Sequence, residues 1–142
     1  MRESRAPLVD VALAIPSRGD RFLVTLRAER NHLGGLWEFP GGKIRPAEEP
    51  LDAARREMVE ETGLRGGIVE PLLVFIHDYP DRAVRLHCFV VQEPGGELMV
   101  DGARKWAWVR LEELNRMEMP AANASILRAL IRRVGSTIHG VS

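Results

Sequence analysis

Hydrophobic spacing divides this chain into strand-like runs and two helical stretches. VDVALAI, Val9 to Ile15, is almost wholly apolar and predicts a buried strand. PSRGD predicts a turn. RFLVTLR, Arg21 to Arg27, alternates well enough to return as the second strand of a hairpin, and AERNHLGG reads as a loop. From Pro50 to Thr62 the residues are good helix formers, free of glycine and with no proline after Pro50, until Gly63 supplies a stop. Leu51, Ala54 and Met58 share the face of that helix expected to pack inward.

The second half repeats the strand pattern. Gly66 to Tyr79 predicts a strand interrupted by Pro71, and PDRA a turn centred on Pro80 and Asp81. Val84 to Gln92 is the clearest strand of this half, EPGGE is a turn, and ARKWAWVRL holds a short strand before a helical turn at LEEL. A last helix is expected to begin near Ala121, with Ile126, Leu127, Leu130 and Val134 on its apolar face. Residues 1–7 and the tail STIHGVS carry little signal. A strand-rich chain with two main helices implies an α/β or α+β layered domain. At 142 residues, without internal repeat or linker, a single domain spanning the chain is expected, large enough to bury a proper core.

Charge placement on the first helix changes the picture. Glu57, Glu60 and Glu61 stand at i, i+3 and i+4, so their carboxylates share a face. Each like-charge pair costs roughly a few tenths of a kcal/mol in an isolated helix. Hard divalent cations such as Mg²⁺ or Mn²⁺ would relieve that repulsion, since oxygen ligands suit them. Upstream, Gly41-Gly42 after Pro40 allows a tight backbone turn whose carbonyls and amides are open to a metal or phosphate. Glu48 is placed to pair with Arg56, fixing the loop and orienting Glu57. A solvated acidic helix after a glycine-rich turn accounts for any two of these features, but not for all of them in register.

Gly42, five residues, Glu48, seven residues, Arg56-Glu57, Met58, Val59, Glu60-Glu61, Thr62, Gly63 and Leu64 together resemble the Nudix box at every defined position. The resemblance implies a Nudix hydrolase, an enzyme cleaving nucleoside diphosphates linked to a further moiety, built as an α/β/α sandwich with a mixed sheet between helices. Outside the box, LRAERNHLGGLWEFPGGK, YPDRAVRL and MPAANASIL resemble the MutT branch of that family, which hydrolyses 8-oxo-dGTP to 8-oxo-dGMP and pyrophosphate. Carried onto this sequence, the resemblance places Arg27 and His32 in nucleotide-contacting positions of the first loop. It places Phe39 beside the base, Arg82 in the turn closing over it, and Asn123 at the base-reading position. It also implies a catalytic set of Glu48, Arg56, Glu57, Glu60 and Glu61. Mg²⁺, with Mn²⁺ as an alternative, would be held by the three helix glutamates and the Gly41 carbonyl, with Gly42 and Lys43 near the phosphates. Family members differ in which glutamate is the general base, with Glu57 a candidate here. MutT-like proteins use a further acidic residue beyond the box, a role open to Glu97 or Asp101.

Alternatives stand beside these assignments. Asn123 carries a donor and an acceptor that match a purine edge, yet asparagine is equally at home as a helix cap or first-turn residue. GLWEF and LHCF also resemble the cytosine-nucleotide pyrophosphohydrolases, in which an aspartate tends to stand at the Asn123 position. A non-catalytic, nucleotide-binding Nudix module is the reading from another class; such modules usually lose box glutamates, and this chain keeps them all. Arg27, His32 and Arg82 are ordinary surface residues without the resemblance, and Lys43 is either a phosphate contact or solvated. Trp106 and Trp108 share a strand face and are expected to pack against a helix, while Trp37 is ambiguous. His77 and His87 read as structural residues in apolar strands. Met117 and Met119 fit a base pocket or the core equally.

Composition sets outer bounds. Twenty basic and twenty acidic residues cancel, so no global field points to nucleic acid or an acidic membrane. One cysteine, Cys88, excludes an intramolecular disulfide and, within LHCFVV, reads as a buried, inert thiol. No signal-peptide core or membrane-length apolar run is present. The expectation is a cytoplasmic enzyme with a small-molecule nucleotide as its partner, neither nucleic acid nor membrane, and an oligomeric state that the sequence leaves open.

Overall fold

The first apolar run forms β1 (Leu8–Arg18), the strand about which the sheet is assembled. The computed structural model describes residues 7–26, 35–100 and 104–141, with side chains as far as residue 135. Pro16 to Arg18, expected in a turn, continue β1, and the turn shortens to Gly19-Asp20. The flank of β1 facing away from its long parallel partner explains why the proline is tolerated. On that side Ala14 donates its N–H to the Pro40 carbonyl at 2.9 Å, and pairing with the next strand starts only at Ser17. Pro16 falls in the gap, where a missing N–H leaves no acceptor unsatisfied.

β2 (Arg21–Leu26) returns antiparallel, as expected for a hairpin. Two short strands follow within the segment read as loop: β3 (Trp37–Glu38), paired with β2, and β4 (Gly41–Lys43), paired antiparallel with β1. β4 lies so close to β1 that a Cβ on Gly41 would meet Leu13 Cδ2 at 2.2 Å and the Ala12 carbonyl at 2.6 Å. Only glycine permits that approach.

The first helix, α1 (Pro50–Thr62), has the expected bounds. Proline occupies its first turn, and Gly63 ends it in the left-handed region (φ 77°), returning its N–H to the Val59 carbonyl. β5 (Ile68–Asp78) runs through Pro71 without breaking, because it is an edge strand with a bulge between Pro71 and Leu73. β6 (Ala83–Gln92) pairs antiparallel with β5 and parallel with β1. β7 (Lys105–Arg110) pairs with β2, the short α2 (Leu111–Leu114) follows, and α3 (Asn123–Val141) extends beyond the stretch with a readable apolar face. The order β3-β2-β1-β6-β5, with β4 on β1 and β7 on β2, makes a mixed sheet.

Alternation along β1 builds two cores. Ala12 and Ala14 face Ala53, Ala54 and Met58 of α1, together with Phe89 and Val91 of β6. Leu13 and Ile15 face the other way, toward Ile126 and Leu130 of α3. Both faces of the sheet are covered by helix, which is why Val11 to Ile15 is apolar without interruption. The α/β/α sandwich is the observed architecture. Among the described residues no helix is long and apolar enough to cross a membrane.

The tryptophans separate. Trp108 joins the α1-side core, with the Arg18 guanidinium 4.9 Å from its ring centre, whereas Trp106 is half exposed rather than packed under a helix. β7 pairs with β2 and lies outside the β3-β2-β1-β6-β5 path, which puts Trp106 at the margin of the sheet. Trp37, Met117 and Met119 pack against the α3-side core. Cys88 is buried, and burial pushes its thiol up to about 12, consistent with an inert group.

His87 has a structural partner, in Asp10 of β1. Arg85 donates to Asp10 from Nε (2.6 Å to Oδ1) and Nη2 (3.2 Å to Oδ2), and His87 Nε2 lies 2.9 Å from Oδ1. Hydrogen bonds from Arg85 and then His87 hold the Asp10 carboxyl down at about 2, against an ordinary 3.8. A depressed folded-state pKa means this contribution is complete above the ordinary value and is lost as pH falls through about 2. Melting temperature of the wild type is therefore expected to fall more steeply than that of Asp10→Asn as pH drops from about 4 to about 2. Parallel acid limbs in thermal melts would contradict this.

Candidate active site

α1 carries the acidic residues, and the glycine strand β4 receives them. Glu57 and Glu61, one turn apart, both face β4. The Gly41 N–H donates to Glu61 Oε2 at 3.0 Å. A Cβ on Gly42 would lie 2.3 Å from Glu57 Oε2, so the carboxylate in this position needs the bare backbone of glycine and would have to shift for any side chain there. The Glu57 carboxyl also lies beside that of Glu61. Burial first, and then that contact, push the Glu61 carboxyl up to about 8, while the Gly41 N–H and the charge of Arg104 pull it back.

Arg56 ties the loop to the helix. Its Nε and Nη2 grip Glu48 in a fork, at 2.8 Å to Oε2 and 2.9 Å to Oε1, and Nη2 also reaches the Lys43 carbonyl at 3.1 Å. Nη1 donates to Glu57 Oε2 at 3.0 Å. Glu48 further accepts the Arg45 N–H at 2.9 Å, and these bonds, led by that to Arg56, hold its carboxyl down at about 2. The expected pairing of Glu48 with Arg56, with Glu57 oriented beside it, is present.

Glu60 departs from the expectation of three carboxylates on one face. It sits exposed at the rim, 3.4 Å from Arg56 Nη1 and 3.7 Å from Arg45 Nη2. With about 100° between successive residues, Glu57 and Glu61 differ by only ~40°, whereas Glu60 is displaced ~100° from Glu61. Among the described residues no three acidic, histidine or cysteine side chains converge as a ready-made metal cage. The inward donors are a pair.

Two further residues complete that pair's surroundings and escaped the sequence reading. Arg104, just before β7, places Nη1 3.3 Å from Glu61 Oε1 and 3.5 Å from Glu38 Oε1. β2 brings them together, because it pairs with both β3, which carries Glu38, and β7. No local spacing signals that meeting.

In front of the glycines lies a cavity of about 530 Å³. Its wall includes Glu38, Phe39, Gly41 and Gly42 on one side, and Arg82 and Asn123 on the other. Phe39 and Asn123 are both nearly fully buried. Asn123 is the first residue of α3, with its Nδ2 3.9 Å from Met119 Sδ. Arg82 is exposed in the turn closed by the Tyr79 N–H to the Arg82 carbonyl (2.7 Å), its guanidinium 5.2 Å from the Tyr79 ring centre. Lys43 is exposed and outside the cavity wall. Glu97 is exposed near the C-terminal end of α1, where its carbonyl crowds Gly63. Arg27, His32 and Asp101 lie outside the described residues.

Comparison with known proteins gives a consistent answer. Residues 7–130 match the family model described as the NUDIX domain. The chain is 38% identical over 84 residues to the 8-oxo-dGTP diphosphatase of Proteus vulgaris, covering 59% of this chain and 75% of that one. It is 28% identical over 124 residues to the CTP pyrophosphohydrolase of Escherichia coli (strain K12), covering 87% and 92%. Among solved structures, that of the E. coli ORF135 protein superposes with a TM-score of 0.80 at 27% identity, covering 93% of this chain and 94% of that one.

Proposed function

This chain belongs to the NUDIX family, as a Nudix hydrolase acting on nucleotides, and from that premise we propose that its substrate is 8-oxo-dGTP or a related oxidised purine nucleoside triphosphate, cleaved to the monophosphate and pyrophosphate. The observation that carries the reading is Asn123, a nearly buried amide in the wall of a cavity shared with Phe39 and with the glycine strand of the acidic pair. An amide there offers a donor and an acceptor to a purine edge, and a base lacking the match leaves buried polar groups unpaired. Phe39 supplies an apolar wall, and Arg82 brings a cation to the opposite rim.

The donor set suits a hard divalent ion. Glu57 and Glu61 are carboxylates set against a backbone cradle that a side chain at residue 42 would fill. Mg²⁺ or Mn²⁺ would be held by Glu57, Glu61 and the Gly41 carbonyl, with Glu60 reaching in from the rim. Such an ion neutralises phosphate charge and acidifies water. The chain's own residues do the rest. Arg56, anchored by Glu48, fixes the Glu57 carboxylate. Glu57 takes the proton of the water that attacks the β-phosphorus. Glu61 is held in place by the Gly41 N–H.

A second reading, a cytosine-nucleotide pyrophosphohydrolase, draws on the similarity to the E. coli CTP pyrophosphohydrolase over 87% of the chain. Incubation with 8-oxo-dGTP, dGTP, CTP and 5-methyl-dCTP plus Mg²⁺, with products separated, tests both. Highest kcat/KM on 8-oxo-dGTP is expected. Preference for the cytosine pair would replace the first reading with the second, and pyrophosphate from none of them would sink both.

A further inference from the structure

We propose that Arg104 is a built-in counter-cation of the acidic cleft: it occupies Glu61 until a divalent ion takes that carboxylate, and so sets the metal affinity of the enzyme. The inference rests on the metal site proposed above. Arg104 Nη1 stands 3.3 Å from Glu61 Oε1 and 3.5 Å from Glu38 Oε1. The other Glu61 oxygen is already committed to the Gly41 N–H at 3.0 Å. A cation that coordinates Oε1 therefore competes directly with the guanidinium.

All three side chains are largely withdrawn from solvent: 23% exposed for Arg104, 17% for Glu61 and 16% for Glu38. Their attraction is thus screened less than that of a surface pair. Arg56 provides the contrast. It grips Glu48 at 2.8 and 2.9 Å in a fork that a metal would have no reason to open. The Arg104 contacts are longer, made through a single nitrogen, and directed at the carboxylate that faces the glycine cradle. One arginine is built to stay; the other is built to yield.

Removing Arg104 takes its positive charge away from Glu38, Glu57 and Glu61, so an incoming divalent ion meets a stronger field and no Arg104 guanidinium at Glu61 Oε1. Titration of the metal-free protein with Mn²⁺, with free ion followed by electron paramagnetic resonance, reads this directly. Arg104→Gln is expected to bind Mn²⁺ about tenfold more tightly than wild type, as loss of a unit charge within a few ångströms of a half-buried carboxylate implies. Its metal-free form should melt lower and gain more from saturating Mn²⁺. Arg104→Lys should bind more tightly than wild type by a smaller factor, because it keeps the unit charge on a shorter side chain that carries it less far toward Glu61. That variant carries the test should Arg104→Gln fail to fold. Unchanged or weaker Mn²⁺ affinity in a folded variant overturns the proposal. So does a raised KM for nucleotide at constant Mn²⁺ affinity, which would make Arg104 a phosphate contact. A Glu61→Gln control separates the levels: if it binds Mn²⁺ as tightly as wild type, the metal site itself is misplaced and this inference goes with it.

Discussion

Glu57→Gln is expected to lower kcat by about 10³-fold, the scale of a lost general base, while the protein still folds and melts within a few degrees of wild type. The side chains are isosteric, and the amide oxygen of glutamine can still accept from Arg56 Nη1, which donates to Glu57 Oε2 at 3.0 Å. What disappears is one negative charge and one proton acceptor, at the position where Gly42 gives the carboxylate access to the backbone. Pyrophosphate release under saturating nucleotide and Mg²⁺, with a thermal melt alongside, measures both halves. A folded variant with full turnover would remove Glu57 from the catalytic set. A variant that fails to fold would give the Glu57–Arg56 contact a structural weight that the Arg56–Glu48 fork should carry alone.

The box helix was the most legible element because its ends are chemical. Pro50 suits a first turn, and Gly63 suits a left-handed stop, so the bounds of α1 followed from residue type. The Glu48–Arg56 clamp was legible too, since a carboxylate in a loop and a guanidinium on the adjoining helix meet at short range. β3 and β4 were not. Both are short, β3 being only Trp37-Glu38, and the glycine-rich β4 exists because β1 offers a partner, not because GGK favours extension. Pro16 and Pro71 misled for a related reason. A proline breaks a strand only where its N–H is needed, and need is decided by neighbouring strands. Within the site, helical spacing grouped three glutamates, but a difference of one residue separates the inward pair from Glu60 at the rim. Arg104 was out of reach of any local pattern, because its meeting with Glu38 and Glu61 is made by the sheet.

Asn123→Asp is expected to lower kcat/KM for 8-oxo-dGTP by about two orders of magnitude or more, and to raise the relative rate on CTP and 5-methyl-dCTP. Asn123 is only 5% exposed and lines the cavity with Phe39, so whatever its side chain presents to a base is presented with little water to compensate. The amide offers one donor and one acceptor, whereas an ionised carboxylate only accepts. A purine O6 then faces a second acceptor in place of a donor, while the exocyclic amino group of cytosine gains a better one. The geometry of α3 need not change, since aspartate is as acceptable as asparagine in a first helical turn, and its charge favours the N-terminal end of the helix dipole. Loss of purine turnover in a variant with an intact melt would therefore report on recognition and not on folding. Were the ranking of the four nucleotides unchanged, Asn123 would be a first-turn residue and no more, and the base would have to be read by another part of the cavity wall.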